Sequence, residues 1–244
     1  MVYDILNLLK KDSGEINVFG MDNIAHEIEI KNRIGFVYDE SHFYEELTAE
    51  EMKRIIAPHY QSWDENQYRK YVKEFGLSPD KKIKELSRGM KVKYSLAIAL
   101  SHHADLLIMD EPTSGLDPMV RSEILDILYN VIQDENKGVF FSTHITSDLD
   151  RIADYIVMIY NGDILFCKAK DELMENHSIV KGSLSLLKND MSKGLIGIRK
   201  NDYGFDALSA SKNAAAEYAR AGAVLDKPAL EDIMLYYTRK EKSL

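Results

Sequence analysis

Apolar residues at positions 1, 2, 5, 6, 8 and 9 fall on one face of a helix, and Lys10 and Lys11 suit its C-terminal end. That pattern is already running at Met1, with no capping residue or turn to announce it. Asp12-Ser13-Gly14 turns the chain into a short strand over 15–19, and the run IGFVY predicts a second strand over 34–38. From 44 to 75 the surface is charged, and Met52, Ile55, Ile56, Tyr68, Val72 and Phe75 recur at helical spacings, with Pro58 interrupting the run. After Leu86 the alternation becomes regular. A helix to about residue 102 leads to a strand at Leu106–Asp110, a helix near 118–133, a strand at Val139–Ser142, a helix near 147–152 and a strand at Tyr155–Tyr160. Strands alternating with helices imply a parallel α/β sheet. Asn161-Gly162 makes a hairpin turn into a strand over 164–167. Beyond about 178 the pattern changes to short strand-like pieces, an Ala-rich helix over 208–221 and a final LEDIMLYY run. The expected organisation is one domain over 1–177, containing a helical subdomain at about 44–103, and a small C-terminal α/β appendage over 178–244.

Composition narrows this picture. With 244 residues, 45% hydrophobic and 29% charged, the chain is long enough for a large core and carries no disorder signature. Its longest apolar runs fall well short of the roughly 20 residues that cross a bilayer, and its first residues do not read as a secretory signal. A net charge of −9 without a basic stripe argues against nucleic-acid binding as the main activity. One cysteine, Cys167, excludes an internal disulfide and suits a reducing compartment; it reads as a small strand side chain rather than a reactive thiol.

The chemistry concentrates in ELSRGM (85–90) and LLIMDEPTSGLDP (106–118). Asp110 and Glu111 directly follow a buried apolar strand, where an unpaired carboxylate is costly unless it binds a cation or water. In open parallel sheets, ligands sit at the carboxyl ends of strands, and Asp110, Glu111 and His144 of FFSTHI all lie at such ends. An Asp near a hydrated Mg²⁺ with a neighbouring Glu that orients water is what nucleotide hydrolysis requires. Ser87 would cap the following helix in any protein, and a lone histidine is more often structural than functional. His102 and His103, in a helix-to-strand loop, read as solvated.

LSRGM, the 24-residue gap from Leu86 to Asp110, LLIMDEP, SGLD and a later strand ending in His together resemble the ATP-binding cassette (ABC) family of transport ATPases over residues 1 to about 170. The resemblance implies a P-loop NTPase-like parallel sheet with a helical subdomain, ATP and Mg²⁺ as cofactors, and a second cassette and membrane-spanning subunits as partners. It also implies a cytoplasmic protein held at the inner face of the membrane by those subunits. Residue by residue, Ser87, Arg88 and Gly89 match the signature loop that holds the γ-phosphate of ATP bound on a partner cassette; Arg88 and Met90 stand where the family has Gly and Gln. Asp110 matches the Walker B carboxylate for Mg²⁺, Glu111 the general base, Asp117 the residue linking the two nucleotide sites, and His144 the γ-phosphate sensor. Asp39 stands where the family places a glutamine that contacts Mg²⁺ and the attacking water. A plain strand-end turn acid is the other reading of Asp39.

The family's phosphate loop, G-x-x-x-x-G-K-[ST], uses backbone N–H groups and a lysine to cradle phosphates. None of the 13 glycines here is followed by lysine. The expectation is that the sequence begins just after that loop, so this chain alone is inactive or very weak as an ATPase. The function implied is the ATP-binding, ATP-hydrolysing subunit of an ABC transporter, of export type. Two alternatives stand: a truncated, non-hydrolytic cassette that lends its signature loop to an intact partner, and a soluble ABC protein of DNA maintenance or translation. The latter families carry long coiled coils or twin cassettes, and neither heptads nor a second DEP occurs here.

Overall fold

The computed structural model describes residues 2–38, 42–187 and 194–239, and its chain divides into two compact units, Met1–Ile145 and Thr146–Leu244. The first unit opens with α1 (Val2–Ile5), much shorter than the helix expected over the first eleven residues. Asn7 ends it by taking a left-handed conformation, φ 53°, which an asparagine tolerates, and its side-chain amide donates to Glu27 Oε2 at 2.9 Å. Leu8 and Leu9 are consequently exposed rather than part of the apolar face. The expected strand over 15–19 is a two-residue β1 (Asn17–Val18) paired with β2 (Met21–Asp22), which the sequence pattern did not indicate. Phe19 and Gly20 both have positive φ, the geometry of a tight hairpin turn.

Helix α2 (Glu27–Arg33) feeds β3 (Ile34–Val37), and the helical subdomain follows: α3 (Ala49–Ile56), a single 3₁₀ turn at Ala57–His59 that contains Pro58, and α4 (Glu65–Glu74). Thr48 and Glu51 form a reciprocal capping box on α3, and Asp64 caps α4 through the Asn66 and Gln67 amides. This subdomain is joined to α5 (Arg88–Ser101) by buried Tyr94, whose hydroxyl donates to the Ala49 carbonyl at 2.8 Å. Lys53, almost fully buried, keeps its charge because Glu50 and Glu65 lie 2.9 and 3.0 Å away. His102 at the end of α5 corrects the solvated reading. It is 1% exposed and stacked on Tyr60 at 3.8 Å with rings 8° from parallel. Its neighbour His103 is the exposed one, 3.6 Å from Asp64.

The sheet is parallel as expected, but the strand at Tyr155–Tyr160, which the alternation had placed in it, pairs antiparallel with Asp163–Ala169 instead. Strands β4 (Leu106–Asp110) and β5 (Gly138–Ser142), separated by α6 (Pro118–Val131), pair in the order β3-β4-β5. Their register sets Val37 against Met109 and Asp110 against Ser142, so the three carboxyl ends are aligned. Ile34 and Ile108 pack with Val2, Leu6, Val18 and Ile30 on one face. On the other, Gly35 lets α5 approach: a Cβ there would stand 2.5 Å from Ala99 Cβ.

The second unit contains α7 (Thr146–Ile152), the hairpin β6 (Tyr155–Tyr160) and β7 (Asp163–Ala169), α8 (Lys170–Asn176), and β8 (Ser178–Gly182). β9 (Leu195–Asn201), β10 (Gly204–Ser209), α9 (Lys212–Arg220), β11 (Val224–Asp226) and α10 (Leu230–Thr238) complete it. Cys167 is exposed on β7. The antiparallel order is β11-β8-β10-β9. The expected Ala-rich helix begins only at Lys212, because residues 204–209 form the fully buried central strand β10. Its Phe205 and Ala207 pack with Val180 and, from α9, Tyr218. On the opposite face, Leu208 and Ile179 share a core with Ile156, Phe166, Leu173 and Ile233, so this core is continuous across position 177.

Candidate active site

The loop EPTSGLDP positions the acids by a series of local bonds. Glu111 leaves the sheet in a left-handed conformation, φ 46°, costly for a non-glycine residue. Its N–H donates to the Ser142 carbonyl at 3.1 Å, extending the β4–β5 ladder by one step, and lies 3.3 Å from Ser142 Oγ. Ser114 N–H then donates to the Glu111 carbonyl, and Gly115 takes φ 67°. Asp117 caps α6 by accepting the Met119 and Val120 amides at 3.1 Å each, with Pro118 at the first helical position.

Three of the residues picked from the sequence meet at the carboxyl edge of the sheet. Asp110 ends β4 and accepts a hydrogen bond from Ser142 Oγ at 2.5 Å. Glu111 Oε2 lies 2.9 Å from His144 Nδ1; the histidine side chain is 71% exposed and the glutamate side chain 26%. The strand-end His144 therefore pairs with an acid instead of bracing the core. Among the described residues no group of three His, Cys, Asp or Glu side chains gathers to hold a metal. One carboxylate with an acidic neighbour does not make a protein cage, but it does fit Mg²⁺, which keeps several waters and takes one or two carboxylates plus substrate phosphates.

A second group forms at the N-terminal ends of α5 and α6. Ser87 caps α5, its Oγ accepting the Met90 amide at 3.3 Å, and leaves an anion-favouring helix start beside Arg88. The Arg88 guanidinium lies against Gly115, where an added Cβ would be 3.1 Å from Nη1. Gly89 is buried against α6, and a Cβ there would meet Val120 Cγ1 at 2.3 Å. Gly89 thus has a packing role beyond any contact with an anion. Asp39 lies outside the described residues.

Ser142 and Val120 belong to this site and were missed in the sequence, where Gly115 was read only as part of SGLD. The only signal for Ser142 was a polar residue closing the apolar run GVFF; its partner becomes visible only through the register with Asp110.

The sequence profile of the ABC transporter family matches residues 2–114. The chain is 34% identical over 163 residues to the bacitracin transport ATP-binding protein BcrA of Bacillus licheniformis, a match covering 66% of this chain and 53% of that protein. It is 30% identical over 183 residues to the ABC transporter ATP-binding protein NatA of Bacillus subtilis (strain 168), covering 72% of this chain and 74% of that one. Among solved structures, an ATP-binding subunit of an ABC transporter superposes with a TM-score of 0.63 at 27% identity, covering 71% of this chain and 74% of the other. The chain thus spans about half the length of BcrA and about three quarters of NatA.

Proposed function

The chain belongs to the ATP-binding proteins of ABC transporters, and from that premise we propose that it couples ATP hydrolysis to export through separate membrane-spanning subunits. The observation that carries this reading is the alignment of Asp110, Glu111 and His144 at one sheet edge, with Glu111 and His144 2.9 Å apart. Glu111 accepts the proton of the attacking water, and His144 holds that carboxylate in place and faces the γ-phosphate. Asp110 holds the hydrated cation, and this reading assigns Asp39 to the same cation as the counterpart of the family's glutamine. Mg²⁺, when bound, neutralises charge on the phosphates. Across the cassette pair, Ser87, Arg88 and Gly89 present the start of α5 to the γ-phosphate of ATP bound on the partner cassette, while Asp117 links the two sites. No helix of the described residues is long and apolar enough to cross a membrane; in this reading attachment runs through partner subunits on the cytoplasmic side. A cavity of about 380 Å³ beside the end of β3, lined by Phe36, Tyr38, Phe43, Met52, Ile56 and His102, suits an apolar segment of such a subunit. Within this reading residues 178–244 brace the preceding segment through the core they share with Ile156, Phe166 and Leu173.

A second reading is favoured by one observation: the 244 residues hold the signature loop and the acid pair but no G-x-x-x-x-G-K-[ST] run. In that reading the chain lends the start of α5 to an intact partner and hydrolyses nothing itself.

The test is extraction of the tagged protein from its own cells. Recovery in a detergent-solubilised complex with integral membrane subunits, hydrolysing ATP in a Glu111-dependent manner, is expected. Recovery without membrane subunits contradicts the transporter reading. A complex whose turnover ignores Glu111 but requires Ser87 selects the second reading.

A further inference from the structure

Ser142 has no role in the motifs that link this chain to its family, yet it touches both acids. Its position opposite Asp110 is fixed by the parallel register. A hydroxyl has one donor and two lone pairs: the donor goes to Asp110 Oδ1, and one acceptor site faces the Glu111 amide, which the Ser142 carbonyl also receives. The next side chain is occupied elsewhere, since Thr143 Oγ1 accepts the Ile145 amide at 3.0 Å. Ser142 is thus the residue of β5 that meets the acid pair directly. Glu111 has no glycine's freedom to account for its left-handed backbone, and a conformation of this kind persists only where surrounding contacts over-determine it.

We propose that Ser142 is a positioning residue for ATP hydrolysis: its hydroxyl orients the Asp110 carboxylate toward the cation and, with its own carbonyl, pins the strained Glu111 backbone. This rests on the reading of Asp110 and Glu111 given above. Removal of the hydroxyl frees the Asp110 carboxylate to rotate and leaves the Glu111 amide one partner where it had two. The nucleotide's own contacts are untouched. The loss should therefore fall on metal binding and turnover, and not on ATP affinity.

The experiment compares Ser142→Ala with Ser142→Thr in the membrane complex, using Mn²⁺ in place of Mg²⁺. Three quantities are measured: Mn²⁺ affinity of the ATP-bound complex by electron paramagnetic resonance, ATP affinity by equilibrium binding, and kcat. Ser142→Ala should weaken Mn²⁺ binding and lower kcat by about tenfold each, the factor carried by a hydrogen bond of ~1.4 kcal/mol, with ATP affinity unchanged. Ser142→Thr, which keeps the hydroxyl, should stay close to the unsubstituted protein. Unsubstituted behaviour of Ser142→Ala, in a complex whose turnover is abolished by Glu111→Gln, overturns this inference alone. An equal loss in both variants at unchanged melting temperature also overturns it, because the hydroxyl would not be what matters. Turnover indifferent to Glu111→Gln overturns the reading of the acid pair, and this inference with it.

Discussion

Gly89 is packed so closely against Val120 that a Cβ added to it would stand 2.3 Å from Val120 Cγ1. The contact joins the start of α5 to the first turn of α6, and the Arg88 guanidinium on Gly115 joins the same two regions. A glycine that the motif explains by contact with phosphate is therefore also required by helix packing. Gly89→Ala should destabilise the protein by ~1–3 kcal/mol, the usual cost of overpacking a filled interface. Val120→Ala added to it should restore part of that loss. The midpoint of urea unfolding measures both, and a neutral Gly89→Ala would show that the helices separate at no cost.

His102 gives the protein a pH dependence with a definite sign. Burial pushes its ring down to about 4, from 6.5, against a weaker opposing pull from the Asn32 backbone, and among the described residues no hydrogen bond of normal geometry reaches either ring nitrogen. The folded state therefore holds His102 neutral where the unfolded chain takes up a proton. Its stabilising contribution is complete above pH 6.5 and is lost progressively as pH falls from 6.5 toward 4. The full window is worth on the order of 3 kcal/mol. His102→Phe keeps the stack on Tyr60 and should flatten the fall in stability between pH 7 and 4.5, as followed by denaturant titration at each pH. An unchanged slope would assign the acid sensitivity to other groups.

The central sheet and the helix after Ser87 were legible because local signals agreed with the fold. Leu106–Asp110 is a short apolar run with an acid at its end, and Ser87 and Asp117 are both caps. What could not be read was set by distant partners or by backbone conformation. His102 sits in a polar-looking loop, and its burial depends on Tyr60, forty-two residues earlier. The end of α1 was decided by the left-handed Asn7, and the β1–β2 hairpin by a Phe-Gly turn that carries none of the usual Asn-Gly signal. The link from Ser142 to Asp110 exists only once the register is known. Asp110, Glu111 and His144 were picked out by their places at strand ends and by the family resemblance, but the 2.9 Å pairing of the last two was not.

The 244-residue chain by itself contains no phosphate loop to supply backbone donors and a lysine to the β- and γ-phosphates. Isolated, it should bind Mg-ATP weakly and turn it over negligibly. Isothermal titration and phosphate release check this together. Robust turnover by the isolated chain, abolished by Glu111→Gln, would mean that other residues perform the loop's work.

The central claim is that Glu111 and Asp110 divide the chemistry, one handling the water and the other the metal. Its most direct test is a paired measurement, in the membrane complex, of ATP retained and phosphate released by Glu111→Gln and Asp110→Asn. Glu111→Gln should retain ATP at unsubstituted levels while lowering phosphate release by about 10² to 10⁴, the usual contribution of a general base. Asp110→Asn should raise the Mg²⁺ concentration needed for half-maximal turnover. Equal loss of nucleotide binding in both variants would contradict the division of roles on which the account rests.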